Sequence, residues 1–156
     1  MKNFGKFVLG FNRRLSNIER FNTRPRIQKE SVATHSYFVS LYASLLADYA
    51  IKQGQTVDVA KAIKKALLHD IEESVAGDVK KPIKALMLDA YNKIADISVK
   101  TILEHLPDEV KDEYLDLALH TPETGEGDFE SLIVSIADDI SGVVYSKEEM
   151  NMGNNY

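Results

Sequence analysis

Cysteine is absent from the 156 residues, so no disulfide holds the chain and nothing argues for an oxidising compartment. Long apolar runs are also absent. None approaches the roughly 18 residues that cross a bilayer. The N-terminal stretch "MKNFGKFVLGFNRR" carries an apolar patch too short and too broken for a secretory signal. The expectation is a cytoplasmic protein with no membrane partner. A basic excess is missing as well. The net charge of −5 disfavours a general nucleic-acid binder, which carries a basic face. A small anionic substrate stays open, because a pocket needs only a few local cations. Alternating β-branched runs, internal repeats and low-complexity segments are not found.

What remains is a helical pattern. Apolar residues make up 44% of the chain and charged residues 28%, as in ordinary soluble domains. The length suits one domain with a real core. Ser31 reads as the N-cap of a helix to about Ala50, with Phe38, Leu41, Tyr42, Leu45 and Leu46 at helical spacing. Asp58 reads as the cap of a second helix, whose stripe is Val59, Ile63, Ala66, Leu67 and Ile71, and which Gly77 ends. Pro82 suits the first turn of a third helix, running to about Ala90 or on toward Leu103. Pro107 opens a short helix through His120. After the loop "TPETGEGD", Asp128 or Ser131 begins a last helix through Tyr145. The fold class expected is all-α, one domain of about five to seven helices.

Polar chemistry gathers where the second helix ends, in "ALLHDIEESVAGDVKKPIK", residues 66–84. His69 and Asp70 are adjacent there, near an inward stripe. His35 falls on the face of Phe38 and Tyr42. A single inward histidine is more often a core residue with one hydrogen bond. Two on neighbouring helices, one followed by Asp, fit a divalent ion, which takes imidazole nitrogens and carboxylate oxygens. A further helix has to supply another oxygen. "SIADDISGVV" offers Asp138 and Asp139 amid apolar residues, a setting where carboxylates need compensation. Periodicity alone selects Asp139, which shares a face with Leu132, Ile136 and Val143.

With these residues in place, the chain resembles the HD-domain metal-dependent phosphohydrolases, and within them the bacterial 5′-deoxynucleotidase branch. The H…HD…D pattern falls on His35, His69-Asp70 and an Asp of "IADD". The branch has an Arg followed by an aromatic fifteen positions before the first ligand histidine, here Arg20 and Phe21. Its second motif, HDxxExxxGDxxxPxK, falls on His69, Asp70, Glu73, Gly77, Asp78, Pro82 and Lys84 with every spacing matched. Its last motif appears as "IADD", "KEEM" and "MGNNY", and the distance to "GNN" selects Asp138 over Asp139. The match runs from about Ile18 to Asn155. The branch usually continues for one helix beyond the GNN turn, so the resemblance implies a shortened chain or a compact member. Phe21 stands where the family often has Trp; it can stack on a base but offers no N–H.

The resemblance implies a fold and a division of labour. The fold is a single HD domain. His35, His69, Asp70 and Asp138 hold one divalent cation, such as Co, Mn, Mg or Zn. Glu73 is the catalytic acid/base, whereas Glu72 reads as a solvated helix end. Arg20, Lys81 and Lys84 serve the phosphate, Asp78 accepts a hydrogen bond from the sugar 3′-hydroxyl, and Phe21 lies against the base or sugar. The bland alternatives are a turn-and-cap role for Asp78 and solvation for the lysines. His105 and His120 match no motif and read as surface or structural. The partners implied are a nucleotide substrate and further copies of the chain. Three activities stay open: release of phosphate from deoxynucleoside 5′-monophosphates, release of tripolyphosphate from the triphosphates, and non-catalytic binding of metal or nucleotide.

Overall fold

The computed structural model describes residues 4–119 and 128–155, the side chain of Lys81 excepted. His120 and most of the "TPETGEGD" loop lie outside the described residues. A helical stretch over residues 4–17 leads into an irregular loop, residues 18–31. Seven helices follow: α1 (Val32–Lys52), α2 (Val59–Leu68), α3 (Glu73–Ala76), α4 (Lys81–Leu86), α5 (Leu88–Leu103), α6 (Asp108–Leu119) and α7 (Phe129–Asn151). Among the described residues there is no strand, only an isolated bridge between Glu19 and Ser31. No described helix is long and apolar enough to cross a membrane.

The caps fall where the sequence places them. Ser31 accepts from the Thr34 N–H at 3.1 Å, Asp58 from Lys61 at 3.0 Å and Asp128 from Ser131 at 2.9 Å. Each satisfies an amide that a helix start leaves without a partner. Gly77 closes α3 at φ 77°, a conformation that favours glycine. The third predicted helix breaks at Met87 into α4 and α5, and the second of these runs the full distance to Leu103. The last helix continues to Asn151 rather than stopping at Tyr145.

The stripe expected on α1 is not its buried face. Phe38, Leu41 and Leu45 are exposed, and Tyr42 and Leu46 are only partly covered. The buried seam is Val32, His35, Ser36, Val39, Ser40, Ala43 and Ala47. Small residues win there because α1 meets both α2 and α7, and a slim seam lets three helices approach closely. Val39, Ala43 and Ala47 pack with Ala62 and Ala66 of α2 and Ile133, Val134 and Ala137 of α7. On α2, Leu67 is likewise exposed, while Ala62, Ala66 and Leu68 are buried. A second core joins Leu68 and Ile71 to Val99, Ile102 and Leu103 of α5 and Leu117 of α6. Both cores flank the end of α2, so residues 69–73 are fixed on two sides.

Candidate metal centre and nucleotide cavity

His35 lies in the first turn of α1, fully buried. His69 follows α2 at once, and Asp138 sits midway along α7. Their polar atoms converge. Asp138 Oδ1 is 3.0 Å from His35 Nε2, His69 Nε2 is 3.3 Å from it, and Asp70 Oδ2 is 3.7 Å from it. His69 Nε2 and Asp70 Oδ2 are 3.1 Å apart. Two ligands about 2.1 Å from one ion and at right angles to each other are about 3 Å apart, so this spacing suits a single small cation.

The hydrogen bonds behind the imidazoles point the same way. His69 Nδ1 lies 2.7 Å from the Ala66 carbonyl oxygen, which can only accept, so Nδ1 carries a proton. His69 then turns Nε2 toward the cluster, and His35 is braced by Ser141 Oγ at 3.1 Å from its Nδ1. Two ring nitrogens and two carboxylates facing one point need a positive charge between them. Burial works against a charged His69, but the adjacent Asp70 outweighs it and raises the imidazole to about 9. Burial dominates at His35 and lowers its pKa.

His69, Asp70 and Asp138 form one wall of a cavity of about 830 Å³, with His35 buried behind them. Arg20, Phe21, Glu73, Asp78 and Lys84 all line it, and so do Lys80 and two residues with no role implied by the resemblance, Arg24 and Lys147. Asp139 lines the cavity too, but lies on the exposed side of α7. The apolar face that favours Asp139 by periodicity is itself exposed: Leu132 and Ile136 face outward, and Ala137 and Ser141 face inward. Nothing is described of the Lys81 side chain. Arg20 is held between Glu30 at 3.5 Å and Asp70 at 3.8 Å. Phe21, at φ 54°, stacks on Tyr145 with ring centres 4.8 Å apart. His105 is structural rather than surface, stacked on Phe11 at 5.7 Å.

Glu72 corrects the sequence reading. It is not a solvated helix end but is 7% exposed, beside Glu73 at 3%. The Tyr91 hydroxyl donates to Glu72 Oε1 at 2.9 Å. Lys84 Nζ lies 3.9 Å from Glu72, 3.6 Å from Glu73 and 4.6 Å from the centre of the Tyr91 ring. Burial, and next the charge of Asp70, raise Glu72 to about 7 and Glu73 to about 10. Both causes favour the protonated form of the Glu73 carboxyl. Tyr91 gave no signal in the sequence because its partner lies in the turn before α3, nineteen residues away.

A helical bundle that sets a histidine, a His-Asp pair and a further aspartate around one point has the HD-domain fold. The structure superposes on an HD-domain phosphohydrolase from Listeria innocua with a TM-score of 0.77, covering 96% of this chain and 71% of that one at 22% identity, a likeness of fold. A conserved hypothetical protein from Pyrococcus furiosus gives a TM-score of 0.79 at 26% identity, covering 96% and 86%. The chain belongs to the YfbR-like 5′-deoxynucleotidase family, whose description matches residues 7–156. It is 30% identical over 148 residues to a 5′-deoxynucleotidase of Photorhabdus laumondii, covering 90% of this chain and 72% of the relative. A 5′-deoxynucleotidase of Vibrio cholerae is 30% identical over 145 residues, covering 90% and 73%.

Proposed function

We propose that the protein is a metal-dependent 5′-deoxynucleotidase that releases phosphate from deoxynucleoside 5′-monophosphates. The observation that carries this reading is the convergence of His69, Asp70 and Asp138, with the buried His35 behind them, on the wall of a cavity that also presents Arg20, Lys80 and Lys84. The four residues would hold one divalent cation, which when bound polarises the phosphoryl group and acidifies water. The protein's own groups do the rest. Arg20 offers a planar pair of donors to phosphate oxygens. Lys84 holds the Glu73 carboxyl in place, and Glu73 is the acid/base that supplies a proton to the departing nucleoside oxygen. Asp78 accepts from the 3′-hydroxyl and Phe21 packs on the base or sugar. Lys81 is retained as a phosphate contact only on its place at the start of the helix after Gly77.

The same reading makes the protein a cytoplasmic homo-oligomer. Tyr37, Phe38, Leu41, Leu45 and Tyr49 leave a continuous apolar face of α1 exposed, and such patches mark interfaces. Light scattering tests it: a monomer at all concentrations removes the oligomer from the account.

The function is tested by incubating the protein with a divalent cation and matched deoxy-, ribo- and 2′,3′-dideoxynucleotides. Deoxynucleoside monophosphates should be hydrolysed at least roughly tenfold faster than ribonucleotides, the discrimination expected from a sugar pocket with no partner for a 2′-hydroxyl. Asp78→Ala should harm the deoxynucleotides and spare the dideoxynucleotides. Release of tripolyphosphate from triphosphates, with no phosphate from monophosphates, sinks this reading.

A further inference from the structure

The last sequence motif takes no part in the chemistry above, yet its side chains are tied to the loop that carries Arg20 and Phe21. Glu149 is buried near the end of α7. Its Oε2 accepts from the Ile27 N–H at 2.8 Å and its Oε1 from the Gln28 N–H at 2.6 Å. Asn154 follows the helix stop at Gly153, where φ is 94°. It donates to the Pro25 carbonyl at 3.0 Å and to Glu149 Oε2 at 2.5 Å. Tyr145, one turn before Glu149, donates its hydroxyl to the Gln28 carbonyl at 2.7 Å and stacks on Phe21.

Residues 25–28 belong to no sheet or helix, so their amides and carbonyls find partners in side chains rather than in a ladder. A carboxylate that takes two successive N–H groups holds them from one side, and Asn154 fixes that carboxylate from the other. The near end of the loop is anchored by the Arg20 N–H to the Glu30 carbonyl and the Val32 N–H to the Ile18 carbonyl, both at 2.9 Å. Arg20 stands at the near anchor, and Phe21 lies between the two.

We propose that Glu149 and Asn154 are positioning residues that latch loop 18–31 against α7, so that Arg20 and Phe21 meet the substrate already oriented. This rests on the substrate role proposed for Arg20 and Phe21. A loop that is competent only part of the time weakens apparent affinity by the fraction of time it is competent. The cation ligands and Glu73 stand on helices and helix ends, three turns from the latch on α7 in the case of Asp138. Release therefore affects binding more than turnover.

The test compares wild type with Glu149→Gln and Asn154→Ala, each loaded with cobalt(II), using deoxyadenosine 5′-monophosphate as substrate. Gln presents an N–H₂ where one amide needs an acceptor, so it opens the latch without removing bulk. Tyr145→Phe, which loses one hydroxyl and keeps the stack, is the mild variant should the others fail to fold. Expected are faster hydrogen exchange and tryptic cleavage in loop 18–31, unchanged exchange in α7 before Glu149, and unchanged cobalt content. KM should rise by about tenfold or more with kcat within about threefold. A loop as protected as in wild type overturns the proposal, and so does an opened loop with unchanged KM. Exchange needs no substrate, so a wild type inactive on every nucleotide refutes the proposed function while the latch is still decided.

Discussion

Replacing Glu72 with Gln tests the buried network behind the candidate metal centre. Burial and the Asp70 charge raise the folded Glu72 carboxyl from 4.5 to about 7. The raised value sets the sign. Between these pH values the native state holds a proton that the unfolded chain has released, so stability falls as pH rises. The contribution is fully present below about pH 4.5 and lost above about pH 7. At about 1.4 kcal/mol per unit, the loss between pH 5 and pH 8 is about 2–3 kcal/mol. That corresponds to roughly 4–12 °C in Tm for a chain of this size. Gln keeps an acceptor for the Tyr91 hydroxyl, has no charge to acquire and removes this dependence. The assay is urea unfolding of metal-free wild type and Glu72→Gln across that range. The difference between the two curves reports Glu72 together with the part of the Glu73 shift that the Glu72 charge causes. A cation beside Asp70 offsets part of the cause, so adding cobalt should shrink the difference. Parallel stability curves for the two proteins would refute the reasoning.

Three further outcomes follow from the geometry. Glu73→Gln should keep fold and metal and lose about 10²–10⁴-fold in kcat, the usual effect of removing an acid/base; full turnover would displace Glu73 from that role. Ser141→Ala removes the oxygen 3.1 Å from His35 Nδ1 and should weaken metal affinity by about 10–100-fold in a chelator competition, with unchanged affinity the contrary result. Asp128→Ala removes the cap of α7 and the carboxylate 3.0 Å from the buried Lys65 ammonium. Thermal unfolding should show a loss of about 2–4 kcal/mol, and a loss under about 0.5 kcal/mol would mean that Lys65 does not depend on Asp128.

Much of the fold was readable because its boundaries are local. Ser31, Asp58 and Asp128 cap helices through their own neighbours, and Gly77 stops one through its own φ. The inward faces were harder to read, because burial is decided by the neighbouring helix. Leu41, Leu45 and Leu67 are apolar yet exposed, whereas Ala43, Ala47 and Ala62 hold the three-helix seam. That same error put Asp139 ahead of Asp138 by periodicity, and only the motif spacing pointed to the residue that lies 3.0 Å from His35. Glu72 misled for a related reason: a carboxylate at a helix end is usually solvated, and its partner Tyr91 is nineteen residues away. The spacing of the GNN motif was visible, but its bonds to residues 25–28 appear only when the two ends of the chain meet.

The most direct test of the central claim is a titration of the chelator-treated protein with cobalt(II), following phosphate release from a deoxynucleoside 5′-monophosphate. No turnover is expected without metal, with saturation at about one equivalent per chain. Asp138→Asn should lose both metal and turnover, and Asp139→Asn should keep both. Full phosphate release in the presence of chelator, or an Asp138→Asn protein that binds and turns over as wild type, would contradict the claim.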